Sequence, residues 1–462
     1  MRGLLHSRRG AAAFATVLAL TPLIGVVALG GEAGSWYVTR QHAQNAADSA
    51  AVSGAMQQLC LSNAPCAVTQ TVDYRAKQAA AQNAFCNTGS TSYPGSKCGG
   101  SLPSGISQSV QIASLTSWKG TAGTYVQATV SQQQPAYLAR VLGLTTVTIP
   151  ATAVATIKSV LYPPCVLALT GPIGFQGSPN INAPNCGMAS NSTAKNAIDF
   201  TGGGMTMNLG SLSTVGGCTG AASFCNTALT YLPSPTANPF SALDGALTTL
   251  CGANPTLPAK CGLPTCASLN IPSAPKLVAY TATSKCTNDN VSTTGNSNLN
   301  LASGVSVYFI SNTLTLKGGS SITCNSPCTG VTFILLPGAT IDTKGGGILT
   351  LKGPATAPSA ASLPTALQSG AALFQYMSMY DASAADVSFG GNSNINLTGN
   401  IYAPNASVTF QGNPTIAVGG TGGGCGQLIA KSIAFNGNAT FDTTGCPSQT
   451  KLPKSQYVQL VQ

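Results

Sequence analysis

Apolar and polar positions change their rhythm three times along the chain. From Ala11 to Gly31 they form one unbroken run, AAAFATVLALTPLIGVVALGG, without a charge. At about 1.5 Å per helical residue, such a run crosses the roughly 30 Å apolar core of a bilayer. Arg2, Arg8 and Arg9 precede it and Glu32 follows it. Positive charge on one flank puts residues 1–10 in the cytoplasm as a basic tail, with 11–31 as the single transmembrane helix. Trp36 and Tyr37 stand just past the exit, where interfacial aromatic residues collect. A cleaved signal peptide shares the basic start, but its apolar region is shorter and ends at an A-x-A site that is not seen here. Residues 32–59 continue as a helix outside the membrane. From Arg40 to Leu59 there is no Pro, and Ala43, Ala47, Ala50, Ala51, Val52, Met56 and Leu59 fall at helical spacing. That small-residue stripe suits docking onto the protein's own globular part or packing against partner helices.

After residue 59 the rhythm shortens. Residues 60–160 predict a small α+β domain: a helix over Val68 to Phe85, then strands over Ser107 to Leu115, Thr124 to Ser131 and Leu144 to Ile157. Tyr162-Pro163-Pro164 stops both helix and strand. Beyond it a seven-residue pattern recurs: Phe or Leu, any residue, Gly, then Ile or Phe at the seventh place. Its copies are Phe175 to Ile181, Leu316 to Ile322, Phe389 to Ile395, Phe410 to Ile416 and Phe435 to Phe441. The last three copies start 21 and then 25 residues apart, and units of that length bury their faces by stacking. The predicted fold is therefore mainly β, with an N-terminal transmembrane α-helix, the small α+β domain, and a right-handed parallel β-helix-like solenoid over 161–446. A β-sandwich is the alternative. Two stretches interrupt the repeat: a Cys/Pro-rich insertion at about 231–290, with a short helix near Phe240 to Leu250, and a Pro/Ala/Ser-rich surface loop at 353–372. The tail 447–462 carries no clear pattern.

Composition narrows the function. The 16 Cys are even in number, and no C-x-x-C occurs. They read as disulfides of an oxidising compartment rather than as a zinc site. The candidates are Cys60, Cys66, Cys86, Cys98, Cys165, Cys186, Cys218, Cys225, Cys251, Cys261, Cys266, Cys286, Cys324, Cys328, Cys425 and Cys446, with the connectivity open. The net charge of +10 is scattered rather than gathered into a patch, which argues against a nucleic-acid partner. Acidic residues number only ten, and His6 and His42 are the two histidines. Beyond His42, which stands beside the membrane, a Ser-His-Asp triad or a histidine metal site is thus unavailable, and no P-loop is present. Asp381 and Asp386 are the closest acidic pair and read as a surface loop. No cofactor and no enzymatic activity are expected. Core packing is the first reading of Tyr376, Tyr380 and Tyr402, and stacking on sugars the second, which leaves carbohydrate as a second partner class and a secreted or anchored carbohydrate-active or carbohydrate-binding β-helix protein as the alternative function.

The N-terminal residues resemble a known family. Arg8-Arg9-Gly10, the apolar span, Glu32, Gly34-Ser-Trp-Tyr37 and Gln44-Asn45-Ala-Ala-Asp48-Ser-Ala-Ala51 are similar in order and spacing to TadG-like Flp pilus-assembly proteins. The resemblance covers about residues 8–56. It implies a non-catalytic structural or assembly component of a Flp/Tad-type pilus or related surface apparatus, held in the bacterial inner membrane. The ectodomain would be periplasmic or extracellular, and the partners other pilus-assembly or pseudopilin-like membrane proteins. Glu32, Trp36, Tyr37, Asn45 and Asp48 mark the anchor and assembly helix. The region around Gly399 to Asn405 also looks like the β-solenoid of some TadG-like proteins. Two departures stand out. Ala15 occupies the place where prepilin processing after Gly10 would want Glu. The string Asp381-Ala-Ser-Ala-Ala385 lacks the second Ser of a von Willebrand A metal motif.

Overall fold

A run of Ala and Leu with a single internal Pro favours one continuous helix, and the computed structural model has α1 over Arg8–Ser62, with Pro22 inside it. The structure describes residues 8–62, 69–87, 92–98, 102–220, 222–227, 229–252, 260–271, 277–293, 295–391, 394–413, 415–417, 426–443 and 453–461. The span and the outward helix are thus one element. The chain divides into two units, residues 1–158 with 458–462, and residues 159–457.

In the first unit, α2 (Val72–Gln82) is shorter than the predicted helix. The Thr71 side chain caps it by accepting from the Tyr74 N–H. Three long strands follow, β1 (Ser107–Trp118), β2 (Thr121–Pro135) and β3 (Thr146–Ser159). They form an antiparallel meander, Val110 opposite Val130 and Ala128 opposite Ala153. Val126, Ala128, Val130, Ala151, Ala153 and Ala155 point to one face and are buried against Ala43, Ala47, Ala50 and Ala51 of α1. The tail, which offers no hydrophobic period, supplies a fourth strand: Gln456–Val461 lies beside β3. Its partner is about three hundred residues earlier, so nothing local marks it.

The second unit is a stack of short parallel strands. The repeat copies lie directly over one another: Phe389 pairs with Phe410, Phe410 with Phe435, and Phe435 with Phe175. Their rings stack inside, with centroids 5.6, 5.3 and 5.5 Å apart. Parallel pairing of successive rungs is the pattern of a solenoid, not of an antiparallel sandwich. The glycine of the repeat is needed at the corner. Gly177, Gly412 and Gly437 have φ of +88°, +88° and +73°. A Cβ on Gly437 would also come within 2.8 Å of the Gly412 carbonyl of the next rung.

Spatial order departs from chain order. The first strands, Pro164–Ala168 and Ile173–Gly177, lie against the last long one, Leu428–Gly437. From this seam the early rungs run one way, to Leu229–Tyr231 on Leu212. The later rungs run the other way, to Val291–Thr293 on Leu314. The insertion therefore carries the chain from one end of the stack to the other. Its helix, Ser241–Cys251, buries Phe240, Leu243 and Leu247 in a second core with Phe309, Ile334, Tyr380, Tyr402 and Ile429. The stretch 353–372 is not a plain surface loop. Its short turns, Ala360–Ser362 and Thr365–Gln368, bring Leu363 and Leu367 into that same core.

Disulfides join Cys86–Cys98, Cys165–Cys186, Cys218–Cys225, Cys251–Cys261, Cys266–Cys286 and Cys324–Cys328. Cys60 is also disulfide-bonded. Cys66, Cys425 and Cys446 lie outside the described residues.

Candidate assembly site on the long helix

The alanine stripe is consumed inside the molecule. Ala43, Ala46, Ala47, Ala50, Ala51 and Ala55 are fully buried, so this face is not offered to a partner helix. Small residues let α1 approach closely. A Cβ on Gly54 would stand 2.9 Å from Val126 Cγ1 and 3.2 Å from Ala76 Cβ. Ser53 Oγ donates to the Arg75 carbonyl and Gln57 Nε2 to the Gln70 carbonyl, at 3.1 and 2.7 Å, which locks α2 alongside. Gly54→Leu should therefore cost about 1–3 kcal/mol by overpacking. Thermal unfolding of the solubilised full chain checks this, with Gly54→Ala losing less. An unchanged midpoint for Gly54→Leu would mean that the helix does not sit on this sheet.

Glu32, half-exposed beside the span, is held by the protein's own backbone. Its carboxylate accepts three backbone N–H bonds, from Tyr137 at 2.6 Å, Leu138 at 3.0 Å and Ala139 at 2.8 Å. These are otherwise unpaired donors at the start of the short 3-10 turn Ala139–Leu142. Desolvation beside the helix pushes the carboxyl up. The bonds from Ala139, Tyr137 and Leu138 outweigh it and hold the group below its usual value. By sign, this lowered carboxyl keeps its grip above the usual carboxylate range and releases it only as pH falls below that range.

The other predicted assembly residues divide by face. Trp36 is partly buried, and its indole N–H has no hydrogen-bond partner among the described residues. Tyr37 is largely exposed, and so is Asn45. Asp48 accepts from Gln44 Nε2 at 2.7 Å. Gln44, Asp48, Trp118, Thr152, Val154 and Leu460 line a cavity of about 460 Å³ between α1 and the sheet. Trp118 and Leu460 belong to this region although sequence patterns do not single them out. One ends β1 and the other sits on the unanticipated strand.

Of the three candidate tyrosines in the second unit, Tyr376 is half-buried and the other two pack in the core. Tyr380 and Tyr402 are fully buried and stacked at 5.3 Å. Both donate to Asp244 of the helix Ser241–Cys251, at 3.1 and 2.5 Å. Burial pushes Asp244 up despite these bonds and raises both phenols as well. Asp381 is not on a surface loop either. It ends the strand Met377–Asp381, pairs in register with Leu335 and is fully buried. Asp386 is exposed and accepts from the Ser407 N–H. Asp199 is engaged by Thr219 and Asp442 by Asn182. Asp289 faces Lys260 and Asp342 faces Lys317. Among the described residues no three His, Cys, Asp or Glu side chains gather as a metal site would require.

Residues 10–57 match the family model described as putative Flp pilus-assembly TadE/G-like. The match covers the apolar span, Glu32 and the buried alanine stripe. No curated protein matches the chain. Among solved structures, the DUF3494 domain of Shewanella frigidimarina ice-binding protein 1 is similar over 62% of this chain and 100% of that chain. Sequence identity is 16% and the TM-score 0.27.

Proposed function

We propose that the chain is a membrane-anchored, non-catalytic component of a Flp/Tad-type pilus or related surface apparatus. One observation carries this reading: the family match coincides with a single helix whose Leu18, Leu20, Leu23, Val26 and Val27 are exposed and whose alanine face is buried on its own sheet from Ala43 onward. Such a helix gives a stiff link from the bilayer to the ectodomain. The N-terminus would be cytoplasmic. The disulfides favour an oxidising compartment for the remainder. We read the second unit as a right-handed parallel β-solenoid, the hand that parallel crossovers adopt. Its role would be to scaffold or to adhere, and its partners other pilus-assembly membrane proteins. Deleting the chain in its native host should abolish or reduce surface pili, with recovery on complementation by the full-length protein. Unchanged piliation, with no pilus-assembly protein cross-linked to the chain, would overturn the proposal.

A second reading rests on one face of the stack. Asn180, Asn182, Thr206 and Asn208 project outward, joined rung to rung by Thr206 Oγ1 to Asn180 Oδ1 at 2.7 Å and Asn208 Nδ2 to Asn182 Oδ1 at 2.9 Å. Asn394 and Asn396 are exposed at matching places further along the chain. An array of amides and hydroxyls, with the Asp442 carboxylate beside Asn182, suits the hydroxyl groups of a polysaccharide. Pull-down of the solubilised chain by insoluble glycans tests it, and retention lost on Asn182→Leu would favour it.

A further inference from the structure

We infer that residues 136–145, the loop between β2 and β3, form a second membrane contact, a foot lying in an anionic lipid headgroup layer beside the point where α1 leaves the bilayer. The inference rests on the anchored reading above. Glu32 is the first residue after the apolar run, and its three hydrogen bonds fix Tyr137, Leu138 and Ala139 at that level of the helix. The loop's height is therefore set by the span itself. What it presents there is apolar: Tyr137 is 75% exposed, Leu138 42% and Leu144 48%. Gly143, with φ +90°, folds the chain back so that Leu144 follows the same turn. Arg140 is exposed and has no carboxylate partner among the described residues. Tyr37, 65% exposed, lies just above Glu32 on α1.

Water is a poor surrounding for such a group, whereas a headgroup layer satisfies every member. Tyrosine sits well at the boundary, leucines bury in the upper acyl region, and arginine meets phosphate. Anionic lipid at the surface attracts the Arg140 guanidinium. A pinned foot would also stop the ectodomain from swivelling about the helix axis, since two contacts fix an orientation that one cannot.

The test is fluorescence of the full-length protein in vesicles of phosphatidylcholine and phosphatidylglycerol, with and without bromine on the upper acyl chains. Tyr137→Trp adds a reporter to the foot. Lys119→Trp adds one at the β1–β2 turn, the opposite end of the same sheet, as a control. The emission of the unsubstituted protein, from Trp36 and Trp118, is subtracted. The added Tyr137→Trp signal should fall at least twofold in brominated vesicles while the Lys119→Trp signal does not. Glu32→Gln, which removes the charge from the clamp, should reduce that quenching. If Trp36 is quenched and the Tyr137→Trp signal is not, the foot is wrong and the anchor stands. If neither is quenched, the anchored reading fails and the foot with it.

Discussion

Truncation of Phe435 to alanine is expected to destabilise the second unit by about 3–5 kcal/mol, the range for removing a fully buried aromatic side chain. Phe435 is wholly buried and packs on Phe410, Phe175 and Phe441, with ring centroids 5.3, 5.5 and 5.3 Å away. Its position makes it more than a core residue. It lies on the seam where the last long strand receives the first ones, so its loss weakens the joint that closes chain order onto itself. Hydrogen exchange should accelerate most in Ile173–Gly177 and Leu428–Gly437, the two strands that meet there. Phe435→Leu, which retains much of the volume, should lose less. Protection that falls evenly through the stack, or a loss below about 1 kcal/mol, would contradict the seam.

The second large effect has the opposite sign. Asp381→Asn should stabilise the protein near neutral pH by about 2–4 kcal/mol. Asp381 is fully buried, and desolvation pushes its carboxyl up to about 8 although the Ser383 N–H donates to Oδ1. The native state therefore holds a neutral acid at pH 7, while the unfolded chain ionises it near pH 4. A carboxyl raised in the folded state contributes stability that is fully present below about pH 4 and lost as pH rises towards 8. Asparagine keeps the acceptor for Ser383 and cannot ionise. Oδ2 of Asp381 has no partner among the described residues, and the amide places two N–H donors where the neutral acid has one O–H, so the gain falls short of the full cost of holding the acid neutral. Thermal unfolding midpoints at pH 4 and pH 7.5 should converge in the variant and differ in the parent. Equal pH dependence in both would show that Asp381 is hydrated and ionised.

Local features of the fold were legible because local rules govern them. The uncharged run from Ala11 to Gly31, the alternation in β1 to β3 and the Phe-x-Gly repeat each report a period, and a period fixes which side chains share a face. The repeat even foretold the register, since Phe389, Phe410 and Phe435 fall opposite one another. What escaped was order at long range. A repeat does not say which copies are neighbours, so Phe175 against Phe435 could not be anticipated, nor could the pairing of the tail with β3. The insertion from 231 to 290 looked like an interruption because its purpose, to carry the chain the length of the stack, exists only in that arrangement. The assembly helix was readable in its position but not in its contacts. Glu32 was conspicuous as the lone Glu, yet its partners are backbone N–H groups, which every residue but proline carries and no sequence advertises. Asp381 escapes for a related reason. Polar side chains are exposed by default, and here the stacking of rungs and the helix Ser241–Cys251 bury them.

Intact mass together with membrane fractionation, on native protein from its own host under non-reducing conditions, tests the central claim most directly. Full-length chain in the inner-membrane fraction, resistant to alkaline extraction and with its thiols oxidised, is the expected result. A product lacking about the first thirty residues and free of the membrane would contradict it, since the helix would then be a cleaved leader rather than an anchor.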